Sequence, residues 1–118
     1  DILHVEDAVA AYRLALANID RIAGRVFNLG GGPQNAVSIG NVLKEIETIC
    51  GHPIETHYGD WRAGDQLYFV ADTRSLEETL GWQARTRWKG GLRSLAQWLA
   101  THRIASREQP TQLRSATA

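Results

Sequence analysis

Apolar residues recur at helical spacing in several stretches of the chain, and these stretches predict its helices. The first helix is predicted to begin at Asp7, a residue type favoured at helix N-caps, and to end before Gly24. The second follows Ser38, another favoured N-cap, and ends near Gly51 and Pro53. The two apolar stripes, each expected to face a core, comprise Val9, Tyr12, Leu16 and Ile19, and Ile39, Val42, Leu43, Ile46 and Ile49.

A short third helix is predicted before Gly81, with Asp72 or Ser75 as its N-cap. Ser75 and Glu78 have the spacing of a capping box, in which each of the two side chains accepts a hydrogen bond from the backbone amide of the other residue. The glycine that follows is typical of a helix C-terminus, so the sequence gives this helix both a start and a stop signal.

The last predicted helix begins at Trp88 or Leu92 and ends near Thr101. Residues 105–118 are polar and lack any apolar period, which predicts a disordered tail. The folded portion is therefore expected to cover residues 1–104.

Four short stretches have the β-branched and aromatic content of strands: 2–5, 25–29, 54–58 and 67–70. The second of these is predicted to be buried. Strands alternating with helices predict an α/β fold, but four short strands are too few for a complete Rossmann unit. We therefore expect a mixed arrangement of helices and short strands, an incomplete Rossmann-like unit.

Composition restricts the kinds of partner. The 118 residues include 13 Lys and Arg and 13 Asp and Glu, so the net charge is zero. This balance predicts no nucleic-acid partner and no membrane surface. Cys50 is the one cysteine, and no apolar run approaches the roughly 18 residues of a membrane span, so we expect a cytoplasmic protein. A chain without methionine that begins at Asp1 is expected to be a piece of a longer product.

The run Gly30-Gly31-Gly32 follows a predicted strand and precedes a helix, which is the outline of a dinucleotide-binding loop. That fingerprint requires a third glycine where this chain has Asn35, and the helix begins only after Ser38. The sequence therefore favours a tight connection whose glycines permit close backbone approach, and it leaves open a loop that lines a ligand pocket.

Other conspicuous residues have ordinary structural explanations. The four histidines show no metal-ligand spacing, so no metal site is predicted. Glu6 and Asp7 are neighbours at a helix start, where capping is commoner than acid–base chemistry. Trp82, Trp88 and Trp98 are expected in the core, because no basic stripe accompanies them for base stacking.

Four motifs occur in the order DILHVEDAVAAY, FNLGGG, VSIGNVLKEI and WRAGDQLYFVADTRSLEETLGW. In this order they resemble the C-terminal part of an extended short-chain dehydrogenase/reductase, and more narrowly the NAD-dependent nucleotide-sugar epimerases and dehydratases. The run YGDWRAGDQLYFVADT is most similar to the CDP-paratose 2-epimerase branch. The resemblance extends from about Asp1 to Leu99.

This resemblance implies an enzyme in which an N-terminal half holds NAD through a Gly-rich loop and carries a Tyr-x3-Lys catalytic pair. None of the three tyrosines here has a lysine four positions later. We therefore expect NAD to be bound mainly by the missing N-terminal half, and this chain alone to be inactive. The implied reaction is transient oxidation of a sugar carbon and return of the hydride to give the epimer.

The resemblance also implies the substrate-binding residues. Arg62 and Asp65 match the family's R-x-G-D motif, with Arg62 gripping the diphosphate and Asp65 orienting the loop or the arginine. Trp61 is available either as a pocket wall or as a cover for the core. Asn35, Val37 and Ser38 match the segment that approaches the nucleotide. From spacing alone, an arginine between two aspartates would be a surface ion pair contributing about 0 to 1 kcal/mol.

The expected partner is thus a nucleotide-sugar, and a homodimer of the intact protein is left open. An alternative of a different class is a non-catalytic nucleotide-sugar-binding module. The sequence upstream of Asp1 discriminates between the two, because only an enzyme requires the Gly-rich loop and the Tyr-x3-Lys pair there.

Overall fold

The computed structural model describes residues 1–107, and residues 108–118, most of the predicted tail, lie outside the described part. The remaining three tail residues, 105–107, belong to the last helix. The helices are α1 (Val5–Ala17), α2 (Ile19–Ile22), α3 (Ile39–Cys50), α4 (Arg74–Leu80) and α5 (Trp88–Arg107), with a 3-10 turn at Pro33–Asn35.

No strand is present within residues 1–107, so the mixture of helices and strands expected from the sequence is not confirmed. A strand requires a ladder of backbone hydrogen bonds to a neighbour, and the predicted segments make only isolated bonds, such as that from the Ile2 amide to the Asn35 carbonyl (3.1 Å). Val26 is 91% exposed, so the segment 25–29 is not the buried strand that was predicted.

A small core forms where α1, α4 and the segment 82–84 meet. Its buried members are Ala11, Leu76, Trp82 and Ala84, and Leu3, Leu14, Phe27, Leu29 and Leu80 pack against them. Trp82 is thus a core residue, as predicted. Trp88 is only half-buried, and Trp98 is 54% exposed and stacks on His102 at 4.1 Å between ring centroids, so Trp98 does not belong to this core.

The buried face of α1 is not the one its apolar stripe predicted. Asp7 and Ala11 are buried, one turn apart, whereas the stripe itself lies open. Its members are all exposed: Val9 (50%), Tyr12 (71%), Leu16 (73%) and Ile19 (51%), the last of which begins α2, and the neighbouring Val5 is 68% exposed as well. Exposed apolar residues in a continuous row along a helix are unusual for a monomeric protein.

This exposure leads to a prediction about stability. The isolated chain is expected to unfold over a broad range at low temperature and to bind a hydrophobic dye, because much of its apolar surface is not packed. Calorimetry and dye fluorescence of the isolated chain and of the intact protein would check this. A sharp, cooperative transition of the isolated monomer at high temperature would contradict it.

A buried carboxylate joins α3 to α5. Glu45 is 7% exposed and forms ion pairs with Lys89 (3.1 Å) and Arg93 (2.7 Å). The hydrogen bond from Lys89, supported by Arg93 and opposed by burial, lowers the pKa of the Glu45 carboxyl. The charged form is therefore stabilised in the folded state.

The lowered pKa sets the direction of a pH dependence. The contribution of Glu45 is complete above the ordinary pKa of glutamate and is lost as the pH falls through the lower folded value. Glu45→Gln is therefore expected to lower the melting temperature at neutral pH, and the difference from the unsubstituted protein should shrink as the pH falls below the ordinary pKa of glutamate. Thermal melts of the intact protein across this range, with the exposed Glu78→Gln as a matched control, test the prediction. A difference that does not change with pH would refute it.

Candidate functional site

The glycine run packs tightly against the start of the chain. A Cβ on Gly31 would collide with the carbonyl oxygen of Ile2, and one on Gly30 would collide with the Ala71 Cβ. Gly32 has φ +70°, in the region that favours glycine. The space beside Gly30 and Gly31 is thus occupied by the chain itself, whereas a Cβ on Gly32 would meet nothing within 4 Å. At Gly30 and Gly31 the run is a tight connection that leaves no space for the phosphates of NAD.

Asn35 is fully buried, and its side chain bonds to the start of α5. Its Nδ2 donates to the Thr86 carbonyl at 3.0 Å, and its Oδ1 accepts from the Trp88 amide at 2.9 Å. These bonds hold the glycine run and α5 together. Val37 is half-buried, and the Ser38 hydroxyl caps α3 by accepting from the Asn41 amide at 3.2 Å.

Asp7 does not cap α1 as the sequence predicted. The helix begins at Val5, and the His4 Nδ1 atom, which accepts from the Glu6 amide at 3.3 Å, provides the cap. The buried Asp7 carboxylate instead accepts from the amides of Arg85 (3.2 Å) and Thr86 (2.8 Å). It thus fixes the segment that leads into α5.

The short helix α4 also begins differently from the prediction. Its N-cap is Thr73, whose side chain makes no capping hydrogen bond, so neither Asp72 nor Ser75 holds that position. Asp72 still contributes, since its Oδ1 accepts from the Arg74 amide at 3.1 Å. The hydrogen bond from the Arg74 guanidinium lowers the pKa of the Asp72 carboxyl to about 2.

Arg62 lies on a segment, residues 55–69, in which every residue is exposed. The side chain of Arg62 is 88% exposed, and its Nε lies 3.6 Å from the Asp65 Oδ2. Gly64 between them has φ +88°, and the Asp65 amide donates to the Arg62 carbonyl at 3.1 Å, which closes a tight turn. Trp61 is 74% exposed. The turn therefore presents the guanidinium to solvent.

The predicted site residues fall into two groups. Asn35, Val37 and Ser38 follow the glycine run, whereas Trp61, Arg62 and Asp65 lie on the exposed segment. Within residues 1–107, no direct hydrogen bond or ion pair joins the groups, but Asp1 bonds to a residue that precedes the first group and to one that follows the second. The Asp1 Oδ2 atom accepts from the amides of Gly32 (2.8 Å) and Ala71 (3.1 Å).

Sequence reasoning missed the roles of both Asp1 and Asp7. The signal available was their position in DILHVEDAVAAY, the first motif of the family resemblance. The local spacing does not indicate that the Asp1 carboxylate bonds to an amide 31 residues away, or that the Asp7 carboxylate bonds to one 79 residues away.

A cavity of about 560 Å³ lies between the glycine run and the segment 70–74. Among its lining residues are Gln34, Asp72, Arg74 and Glu77. A second cavity, of about 540 Å³, lies between the segment 2–6 and α5. The first cavity adjoins the end of the segment that carries Arg62.

Within residues 1–107, no helix combines the length and apolar character needed to cross a membrane. Nor do three or more potential metal-ligating side chains come together there.

Comparison with known proteins identifies relatives of one kind. The chain is 32% identical over 101 residues to the CDP-paratose 2-epimerase of Salmonella typhi, covering 86% of this chain and 30% of that protein. It is 33% identical over 82 residues to a UDP-glucose 4-epimerase of Corynebacterium glutamicum, covering 70% of this chain and 24% of the relative. A UDP-glucuronate 4-epimerase of Thermodesulfobacterium geofontis is 24% identical over 98 residues, or 83% of this chain and 29% of the relative. No protein-family model matches.

These matches confirm the resemblance that the four motifs indicated. The chain belongs to the nucleotide-sugar epimerases of the extended short-chain dehydrogenase/reductase family. It spans less than a third of the length of these relatives.

Proposed function

We propose that this chain is the substrate-binding C-terminal portion of an NAD-dependent nucleotide-sugar epimerase similar to CDP-paratose 2-epimerase. The names of the relatives support the class of reaction and of substrate. The exposed stripe of α1 is consistent with a chain that packs against a further part of the same enzyme.

The observation that carries the substrate-binding role is the exposed guanidinium of Arg62. Its Nε lies 3.6 Å from the Asp65 Oδ2, which is too far for a strong hydrogen bond. This contact therefore leaves the hydrogen-bond donors of the guanidinium available. The two Nη atoms form no hydrogen bond within the described residues. A planar guanidinium offers paired donors that match the oxygens of a diphosphate, and this is the contact we propose.

The remaining predicted residues have supporting roles in this proposal. Asp65 orients Arg62, and Trp61 forms a wall of the substrate site. The segment Asn35–Ser38 approaches the nucleotide, with the Asn35 side chain holding the backbone in place through its two bonds to residues 86 and 88.

In this proposal the redox chemistry that NAD supplies belongs to another portion of the enzyme, because the chain itself occupies the space beside Gly30 and Gly31. The contribution of this chain is to position the substrate. By holding the diphosphate, it fixes where the sugar lies, and fixed placement of a reactant accelerates a reaction without proton transfer from the residues that hold it.

The proposal is tested on the intact protein. We expect it to bind CDP or UDP in calorimetric titration and to interconvert epimers of a nucleotide-sugar when NAD is present. Binding without turnover, together with an upstream sequence that lacks a Gly-rich loop and a Tyr-x3-Lys pair, would favour the non-catalytic binding module. Failure to bind either nucleotide would refute both.

A further inference from the structure

The segment that carries Arg62 is attached to the rest of the molecule at its two ends. Residues 55–69 are exposed throughout. Before the segment, the Ile54 amide donates to the Glu47 side chain at 3.1 Å. At its other end, the contacts are made by Asp1. The position of Arg62 therefore depends on these two attachments.

Asp1 contacts this end of the segment through its carboxylate. Its Oδ2 accepts from the Ala71 amide at 3.1 Å, 70 residues away in the chain. This bond holds the backbone where the exposed segment returns to the buried Ala71.

The same Asp1 oxygen also holds the glycine run. It accepts from the Gly32 amide at 2.8 Å, and a Cβ on Gly30 would lie 2.8 Å from it. The absence of a side chain at Gly30 thus gives the carboxylate room to reach both amides. Through this atom the Gly32 and Ala71 amides are held together, and close by the Asn28 Nδ2 donates to the Asp72 carbonyl at 3.3 Å.

We infer that Asp1 is a positioning residue for substrate binding, whose carboxylate holds the Arg62 segment against the glycine run. This inference rests on the proposed function, because it assumes that Arg62 contacts the diphosphate. Asp1 itself touches no substrate in this scheme. Without its oxygen, the amides of Gly32 and Ala71 lose a shared charge-assisted acceptor, and the end of the Arg62 segment is held less firmly against the glycine run.

The test is a double-mutant cycle on the intact enzyme, with CDP and UDP as probes. Asp1→Ala is expected to weaken nucleotide binding by about tenfold, the size typical of coupling through a packed network. In an Arg62→Ala background, Asp1→Ala should have almost no further effect, because the residue that it positions is already gone. Asp1→Asn keeps an oxygen acceptor without the charge, and its loss should be smaller, about threefold.

A purely structural role makes a different prediction. It would lower the melting temperature while leaving the affinity of the folded molecules unchanged, or it would weaken binding equally with and without Arg62. Either result overturns the inference. If Asp1→Ala does not fold, the comparison is made with Asp1→Asn, whose threefold loss should likewise disappear in the Arg62→Ala background.

Asp72→Ala is the matched control. Asp72 is an exposed aspartate next to Ala71, and its side chain bonds only to Arg74, two residues away. Its removal should leave nucleotide affinity unchanged, and an equal loss in this variant would overturn the assignment to Asp1. If Arg62→Ala alone has no effect, the proposed function fails and the inference with it. A loss with Arg62→Ala but none with Asp1→Ala refutes only the inference.

Discussion

Arg62→Ala in the intact enzyme is expected to raise the dissociation constant for CDP or UDP by about ten- to a hundredfold. The physical reason is the loss of charge-assisted hydrogen bonds worth roughly 1.5 to 3 kcal/mol each. Arg62→Lys should also weaken binding, though less, because an ammonium keeps the charge but cannot reproduce the two-point contact of a guanidinium. Calorimetric titration of both variants measures the effect.

Two controls separate phosphate contact from a surface ion pair. The affinity for NAD should hardly change in either variant. Arg74→Ala removes a closer Arg–Asp pair, in which the Arg74 Nη2 lies 2.6 Å from the Asp72 Oδ2 and the arginine side chain is 81% exposed. This variant should leave nucleotide affinity intact. If folded Arg62→Ala binds the nucleotide as well as the unsubstituted enzyme, Arg62 is only the surface ion pair that its spacing suggested.

Gly31→Ala is expected to destabilise the intact protein by roughly 3 kcal/mol or more, at or above the upper end of what most single substitutions cost. The new Cβ would overlap the backbone carbonyl of Ile2, and it would lie 2.8 Å from the Asn35 Cβ. Neither neighbour is the flexible end of a side chain, so the backbone itself must shift. Denaturant or thermal unfolding of the intact protein measures the loss.

Gly40→Ala provides the matched control for this substitution. Gly40 lies in the first turn of α3, and a Cβ there would meet nothing within 4 Å. Because alanine favours helix more than glycine does, this variant should be as stable as the unsubstituted protein or slightly more so. Equal losses at both positions would show that close packing is not the reason for glycine at position 31.

The elements that sequence predicted best are those defined by local signals. For α3, the Ser38 cap and the left-handed Gly51 at the end lie where the pattern placed them, because each acts on the neighbouring turn. The start of α1 was predicted wrongly because Asp7, a good cap in isolation, bonds instead to distant amides at Arg85 and Thr86. Tertiary contacts of this kind leave no trace in local spacing.

In the candidate site, too, local features could be predicted from the sequence and features that depend on distant contacts could not. The R-x-G-D turn is local, and its Arg62–Asp65 contact agrees with the motif. The burial of Asn35 could not be read from the sequence, because it results from partners more than 50 residues away. The role of Arg62 stays a prediction that rests on the resemblance to a family.

The exposure of every residue from 55 to 69 has a consequence for the heat of ligand binding. Long exposed side chains give up rotamer freedom when a ligand fixes them, at a cost of about 0.5 to 1.5 kcal/mol each. Nucleotide binding through this segment should therefore release heat and be opposed by entropy. Substitutions that restrict the segment in its bound shape would strengthen binding without adding a single contact to the ligand.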